Sequence, residues 1–144
     1  MSRILLLLLF IPLSVACQTK KLQQSNAPAF AESPMSCHIR GRIIEILKPE
    51  KEPKGSLCAK YSCLARVSIE EVSACGPGVS LALNAGDTVT MHFSYTLQPT
   101  AKLFPGMKAH YPGLKKGNVF TAAAEQRLRM GTNGFFVVTA YERK

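Results

Sequence analysis

The side chains in this sequence with the most chemistry to offer are five cysteines, Cys17, Cys37, Cys58, Cys63 and Cys75. A thiol serves redox exchange, metal ligation, nucleophilic attack, disulfide bonding or acylation, and spacing and compartment select among these. Cys58 and Cys63 enclose Ala59-Lys60-Tyr61-Ser62. A thioredoxin-type redox pair has two intervening residues at a helix N-terminus, which lowers the thiol pKa, so this spacing predicts a structural disulfide. Zinc held by Cys37, His38, Cys58, Cys63 or Cys75 is reasonable by ligand type, but the oxidising compartment argued below favours disulfides. His38, His92 and His110 lie far apart, and no Asp or Glu spacing completes a hydrolytic or metal triad. Ser56, Ser62 and Ser94 lack a nucleophile-elbow context, and there is no Gly-rich phosphate loop. The residues therefore predict a non-enzymatic chain with no metal and no cofactor.

The start of the chain sets the compartment. Met1-Ser2-Arg3 is a short positive segment, and about a dozen mostly apolar residues follow it. That run is too short for a bilayer core, which needs roughly 20 residues, and it suits the apolar region of a signal peptide. Small residues Ser14 and Ala16 precede Cys17. On these residues the segment resembles a bacterial lipoprotein signal, whose cysteine is diacylated and becomes the new N-terminus. The usual box is Leu-Ala/Ser-Gly/Ala-Cys. Ser14-Val15-Ala16-Cys17 departs from it three positions before the cysteine, with Leu13 one place early, and also reads as an ordinary small-x-small cleavage site. Parity separates the two readings. With Cys17 acylated, four cysteines remain and pair completely, whereas a secreted chain starting at Cys17 leaves one thiol over. The expectation is an exported protein, lipid-anchored through Cys17 to a bacterial membrane, at the outer membrane or cell surface. The alternative is a soluble secreted protein.

The domain organisation follows: signal peptide 1–16, flexible tether 17–36 led by the lipidated Cys17, and a single domain over 37–144. The tether has two prolines, low hydrophobicity and no sustained period. The net charge of +9 across the chain favours acidic partners, such as anionic lipid heads, polyanionic glycans or acidic proteins. Nucleic acid fits that charge but is not expected for an exported lipoprotein.

Five strands are predicted to position these residues. Residues 37–47, CHIRGRIIEIL, are dense in β-branched side chains, and residues 64–74 alternate Val67 and Ile69 against Arg66 and Ser68. Setting Cys37 opposite Cys75 in an antiparallel ladder brings Ile39 to Ser73, Gly41 to Glu71, Ile43 to Ile69 and Arg42 to Glu70. Cysteines, apolar residues and opposite charges all match in that one register. Cys58 and Cys63 then fall in the connection and pair with each other. An apolar piece, 79–83, precedes the turn at residues 84–87. Residues 88–97, TVTMHFSYTL, put Val89, Met91, Phe93, Tyr95 and Leu97 on one face. Residues 98–118 hold three prolines and three glycines and exclude a long helix. Residues 119–130 form the fourth strand, with Phe120, Ala122, Ala124 and Leu128 on one face. Residues 121–130 also have helical propensity, but the loop 131–134 leading into FFVVTAY, 135–141, favours a hairpin.

Five strands with this punctuation indicate an all-β fold, a small closed barrel that leaves no exposed edges, with a small β-sandwich as the alternative. The order resembles an OB-fold, a five-stranded Greek-key barrel with a variable linker between strands three and four. Ala85-Gly86-Asp87-Thr88-Val89 and Lys116-Gly117-Asn118-Val119-Phe120 are its motif-like pieces. Among exported, cysteine-stapled OB-like modules the chain is distantly similar to netrin/TIMP-like domains. Inhibitors of that family ligate a protease zinc with a free N-terminal cysteine. Their Cys-x-Cys start is absent here and Cys17 is read as acylated, so the resemblance does not imply inhibition.

One stretch is singled out for partner binding. Residues 102–116, KLFPGMKAHYPGLKK, combine Lys102, Lys108, Lys115 and Lys116 with Phe104, His110 and Tyr111. Loops on a rigid scaffold gather binding residues, so this stretch is expected to meet an anionic glycan or envelope protein. The competing reading has Phe104 and Tyr111 plug the barrel while the lysines only solvate the loop. Two function classes follow, a lipid-anchored binding module and a structural accessory subunit of an envelope assembly.

Overall fold

The computed structural model describes residues 33–48, 52–130 and 134–144. The expected signal peptide 1–16, Cys17 and residues 18–32 of the expected tether lie outside the described residues. Five strands and one helical turn make up the fold: β1 (Ser36–Leu47), α1 (Leu57–Lys60), β2 (Leu64–Cys75), β3 (Thr88–Phe93), β4 (Val119–Arg127) and β5 (Phe135–Arg143). They close into a barrel in the order β1-β2-β3-β5-β4. All neighbours are antiparallel except β3 and β5. The architecture is a small OB-like barrel, and closure excludes the sandwich.

Alternation explains why residues 119–127 are strand despite their alanines. Phe120, Ala122, Ala124 and Gln126 all point inward and are buried. β1 and β5 pair with β4 on its two sides, so its backbone groups are met without a helix. The few tenths of a kcal/mol per residue by which alanine prefers helix do not outweigh burial of that face. β4 stops at Arg127, and Leu128, expected inside, is exposed. β3 likewise stops at Phe93. Tyr95, expected on its inner face, is partly exposed, while Leu97 returns to the core. α1 is a turn that the pattern does not predict. Ser56 Oγ accepts from the Ala59 N–H at 3.1 Å, and the Tyr61 N–H donates to the Leu57 carbonyl at 2.8 Å.

Both disulfides pair as the spacing predicts, Cys37 with Cys75 and Cys58 with Cys63. The ladder between the first two is corrected. Cys37 faces Cys75, but Ile39 faces Val72, Gly41 faces Ile69, and Ile43 faces Val67. β2 skips Ser73 and then Glu70, and β1 skips Ile44, so the hairpin carries three irregularities. Bulges of this kind add the bend and twist that a long hairpin needs to coil around a narrow barrel. Gly41 sits inside the bend, where a Cβ would lie 2.6 Å from Val67 Cγ1 and 3.4 Å from Phe120 Cζ. Arg42 faces Ser68 across the ladder, yet its guanidinium still reaches Glu70 at 2.7 Å.

The strands give the barrel two ends. At one, Ser36 meets Glu125 and Cys37 meets Cys75. At the other, Arg42 meets Val119 and Leu47 meets Leu64. The chain joins the barrel at the first, the tether end. There the Gly78 N–H donates to the Pro34 carbonyl at 2.9 Å and the Gln126 N–H to the Met35 carbonyl at 2.7 Å. A Cβ on Gly76 would run into that same Pro34 carbonyl. Ser33 to Met35 are thus held against the barrel, and β1 begins at Ser36, the last residue of the expected tether. Between the ends, Ile43, Val67, Ile69, Met91, Phe93, Phe120 and Val138 fill the core.

Candidate functional site

At the far end the long connection between β3 and β4 is stapled by a buried threonine. Thr100 Oγ1 accepts from the Tyr111 N–H at 2.7 Å, and the Thr100 N–H donates to the Tyr111 carbonyl at 3.0 Å. The Leu114 N–H donates to the Leu97 carbonyl at 2.9 Å, which seats buried Leu114 on the core. An aromatic ladder then runs from the surface inward. Phe104 meets Tyr95 edge-on at 5.6 Å, Tyr95 leans on Tyr111 at 5.9 Å, and Tyr111 stacks on Tyr141 at 4.8 Å. Tyr141 in turn meets Phe93 and Phe120 edge-on in the core. Such pairs add about 0.5–1.5 kcal/mol each beyond area burial.

The ladder carries no acid–base poise. Burial pushes the Tyr141 phenol up to about 12, outweighing the lowering by the Gly113 N–H bonded to it at 3.1 Å; neighbouring Tyr111 adds a further rise and Arg143 a lowering. Tyr111 is also raised, by burial and then by Tyr95. Both phenols stay protonated at neutral pH, as plug residues should.

Of the stretch picked out in the sequence, Phe104 and Tyr111 are thus packed, as the competing reading has it. Lys102, Lys108, His110, Lys115 and Lys116 are exposed on the same connection. Residues 98–118 contain no Asp or Glu, and none of the ion pairs among the described residues involves these lysines. The strands differ. Glu70 pairs with Arg40 and Arg42, Glu71 with Arg40, Glu45 with Arg66, and Glu125 with Arg127. Among the described residues none of these lysines is ion-paired with a carboxylate, and the loop that carries them is held in place by the aromatics.

A cleft of about 1170 Å³ runs along the outside of β3, from Glu52 and Leu64 on the far-end side to Leu128 and Phe135 at the tether end. Leu81, Leu83, Val89, His92, Leu128 and Phe135 line it. The β2–β3 side, with its flanking loops, is where OB barrels carry ligands. Buried Gln126 holds one wall. Its Oε1 accepts from the Ser80 and Leu81 N–H groups at 2.8 and 3.1 Å, and its Nε2 donates to Ser80 Oγ at 2.7 Å. This cleft was not foreseen. Its signal was the apolar run 79–83 together with Leu128, Met130 and Phe135 around one hairpin loop, which inward assignment of Leu128 concealed.

A second hollow, about 630 Å³, lies along the outer face of β1 beside His38, Arg40, Glu70, Glu71, Asn118 and Lys144. Arg40, Glu70 and Glu71 there are already spent on one another. Among the described residues no group of three or more His, Cys, Asp and Glu side chains is placed to hold a metal ion. Cys37, Cys58, Cys63 and Cys75 are all in disulfides, and Cys17 lies outside the described residues. No family model matches the chain, and comparison with curated proteins and with solved structures gives no match either.

Proposed function

We propose that this chain is an exported, non-enzymatic binding module, lipid-anchored through Cys17, that offers the far end of its barrel to an anionic glycan or protein. The observation that carries the reading is the segregation of charge. Strand carboxylates are paired with arginine or lysine, whereas Lys102, Lys108, Lys115 and Lys116 share one acid-free connection. A fixed cluster of cations attracts a polyanion at little ordering cost, because the loop is already organised. The topology is compatible with it, since Pro34 and Met35 enter the barrel at the end opposite the basic connection.

Retention on a sulfated-polysaccharide column tests this. Wild type should bind at low salt and elute as salt screens the contact. Replacing Lys108, Lys115 and Lys116 together with Gln should abolish retention and change stability by no more than about 0.5 kcal/mol. Phe104→Ala should lower the melting temperature, because it removes a packed ring. Full retention by the triple variant refutes the reading. The accessory-subunit reading draws on a different feature, the exposed apolar side chains Leu128, Met130 and Phe135 at the tether end, which a protein neighbour in an envelope assembly would cover.

A further inference from the structure

The tether end carries the largest apolar exposure among the described residues. Met130 is 100% exposed, Leu128 71% and Phe135 39%. They flank the loop joining β4 to β5, beside exposed Arg127 and Arg129, and continue into the Leu81–Leu83 wall of the cleft. Apolar side chains grouped at one tip, with arginines at its base, are the composition of a segment that lies in a membrane interface. The apolar groups enter the boundary between heads and acyl chains, and the guanidinium groups stay at headgroup level.

What covers this tip follows from where the chain joins the barrel. Pro34 and Met35 are bonded to Gly78 and Gln126, and Gln126 stands next to Arg127 on β4. Cys17 and Ser33 are separated by residues 18–32. That length reaches at most about 55 Å fully extended, and as a coil it spans roughly 20 Å. A barrel so held keeps its tether end within a short distance of the lipid heads, where even a weakly lipophilic tip meets the bilayer at high effective concentration. We infer that the β4–β5 tip, through Leu128, Met130 and Phe135, seats in the surface of the membrane that anchors the protein. This contact fixes the barrel upright and turns Lys102, Lys108, Lys115 and Lys116 outward. The inference rests on the anchoring at Cys17 proposed above.

The chain has no tryptophan, so single tryptophans report position without background. The test uses the full chain as isolated from membranes, carrying either Met130→Trp or Lys108→Trp, and reconstituted in phosphatidylcholine–phosphatidylglycerol vesicles that contain brominated acyl chains. Met130→Trp should shift its emission to the blue and lose most of it to bromine quenching. Lys108→Trp, at the far end, should keep the emission of a tryptophan in water. Adding Leu128→Ser and Phe135→Ser to the Met130→Trp chain should relieve much of the quenching while the protein stays vesicle-bound through its acyl chains. Intact mass on the same sample separates the two ways of failing. An unacylated Cys17 overturns the anchoring and the seating together. An acylated chain whose Met130→Trp remains unquenched overturns the seating alone and leaves the tip to a protein neighbour. Quenching at Lys108→Trp overturns the orientation.

Discussion

The two ends of this barrel close the same kind of opening with different chemistry. The far end is plugged by rings, Phe104, Tyr95, Tyr111 and Tyr141 in sequence, with Thr100 stapling the connection that carries them. Its outside carries lysines. At the tether end the 76–81 segment hydrogen-bonds to Pro34, Ser36 and Gln126, Val79, Leu81 and Leu83 pack on the core, and Leu128, Met130 and Phe135 are left outside. At the far end the rings pack on one another, with Tyr95 still 37% exposed, and Lys102, Lys108, Lys115 and Lys116 lie outside them, which is the basis for proposing a polyanion there. The tether end instead exposes Leu128, Met130 and Phe135, which is why the proposed contact there is a lipid surface. Each end also has one disulfide, which allows the two to be weighed against each other.

The largest difference is expected from those bridges. Cys37–Cys75 spans 38 residues and Cys58–Cys63 spans 5. Loop-closure entropy assigns about 4 kcal/mol to the first and about 2 to the second. Cys75→Ser should therefore cost roughly twice as much as Cys63→Ser in chemical denaturation. Equal losses would mean that the tether end is held by its hydrogen bonds alone.

Those bonds are tested by Gln126→Leu. The substitution leaves the Ser80 and Leu81 N–H groups without their acceptor; these bonds are only part-buried, so the loss should be about 1 kcal/mol rather than the larger cost of a fully buried unmet donor. Amide exchange at Ser80 and Leu81 should accelerate while exchange at Tyr111 and Leu114 is unchanged. Faster exchange at both ends would show that the ends open as one unit and break the comparison.

The remaining effect belongs to the ring plug and depends on pH. Tyr141 titrates near 12 folded, against an ordinary value of 10.0. Above pH 10 the unfolded chain releases this proton while the folded chain keeps it, so the unfolded state gains. The stabilisation is complete below pH 10 and is lost as pH rises towards 12. The Tyr111 shift acts in the same direction. Tyr141→Phe should lose about 1 kcal/mol at pH 7, through the hydrogen bond to Gly113, and show a shallower alkaline decline than wild type. Parallel declines would place the rings outside the folding equilibrium.

Much of the fold was legible in the sequence because closure of a small barrel leaves a distinct record. Alternation at Met91 and Phe93 and at Phe120, Ala122 and Ala124 marks inner faces, and placing Cys37 opposite Cys75 across the first hairpin leaves Cys58 to pair with Cys63. Strand ends were less legible. Leu128 and Tyr95 continue the alternation but lie past the last ladder bond, and periodicity cannot tell a residue still in the sheet from one just beyond it. The hairpin register slipped for a related reason. Matching residue types across two strands assumes an unbroken ladder, whereas Ser73, Glu70 and Ile44 are left out of step to bend the hairpin.

The candidate surfaces divide along the same line. That residues 102–116 mix cations with aromatics was plain from the chain, because composition is local. That the rings face in and the lysines out was decided by Tyr141, thirty residues further on, whose stacking on Tyr111 has no local signature. The sequence alone determined the strand content, the disulfide partners and the charge of the connection, since each depends on residue type and short spacing. Only the tertiary structure decided that Pro34 and Met35 enter the barrel at the end opposite the basic connection, next to the strand that leads into Leu128. That arrangement comes from how five tilted strands close on one another, and the placement of an end in a closed barrel belongs to no single segment.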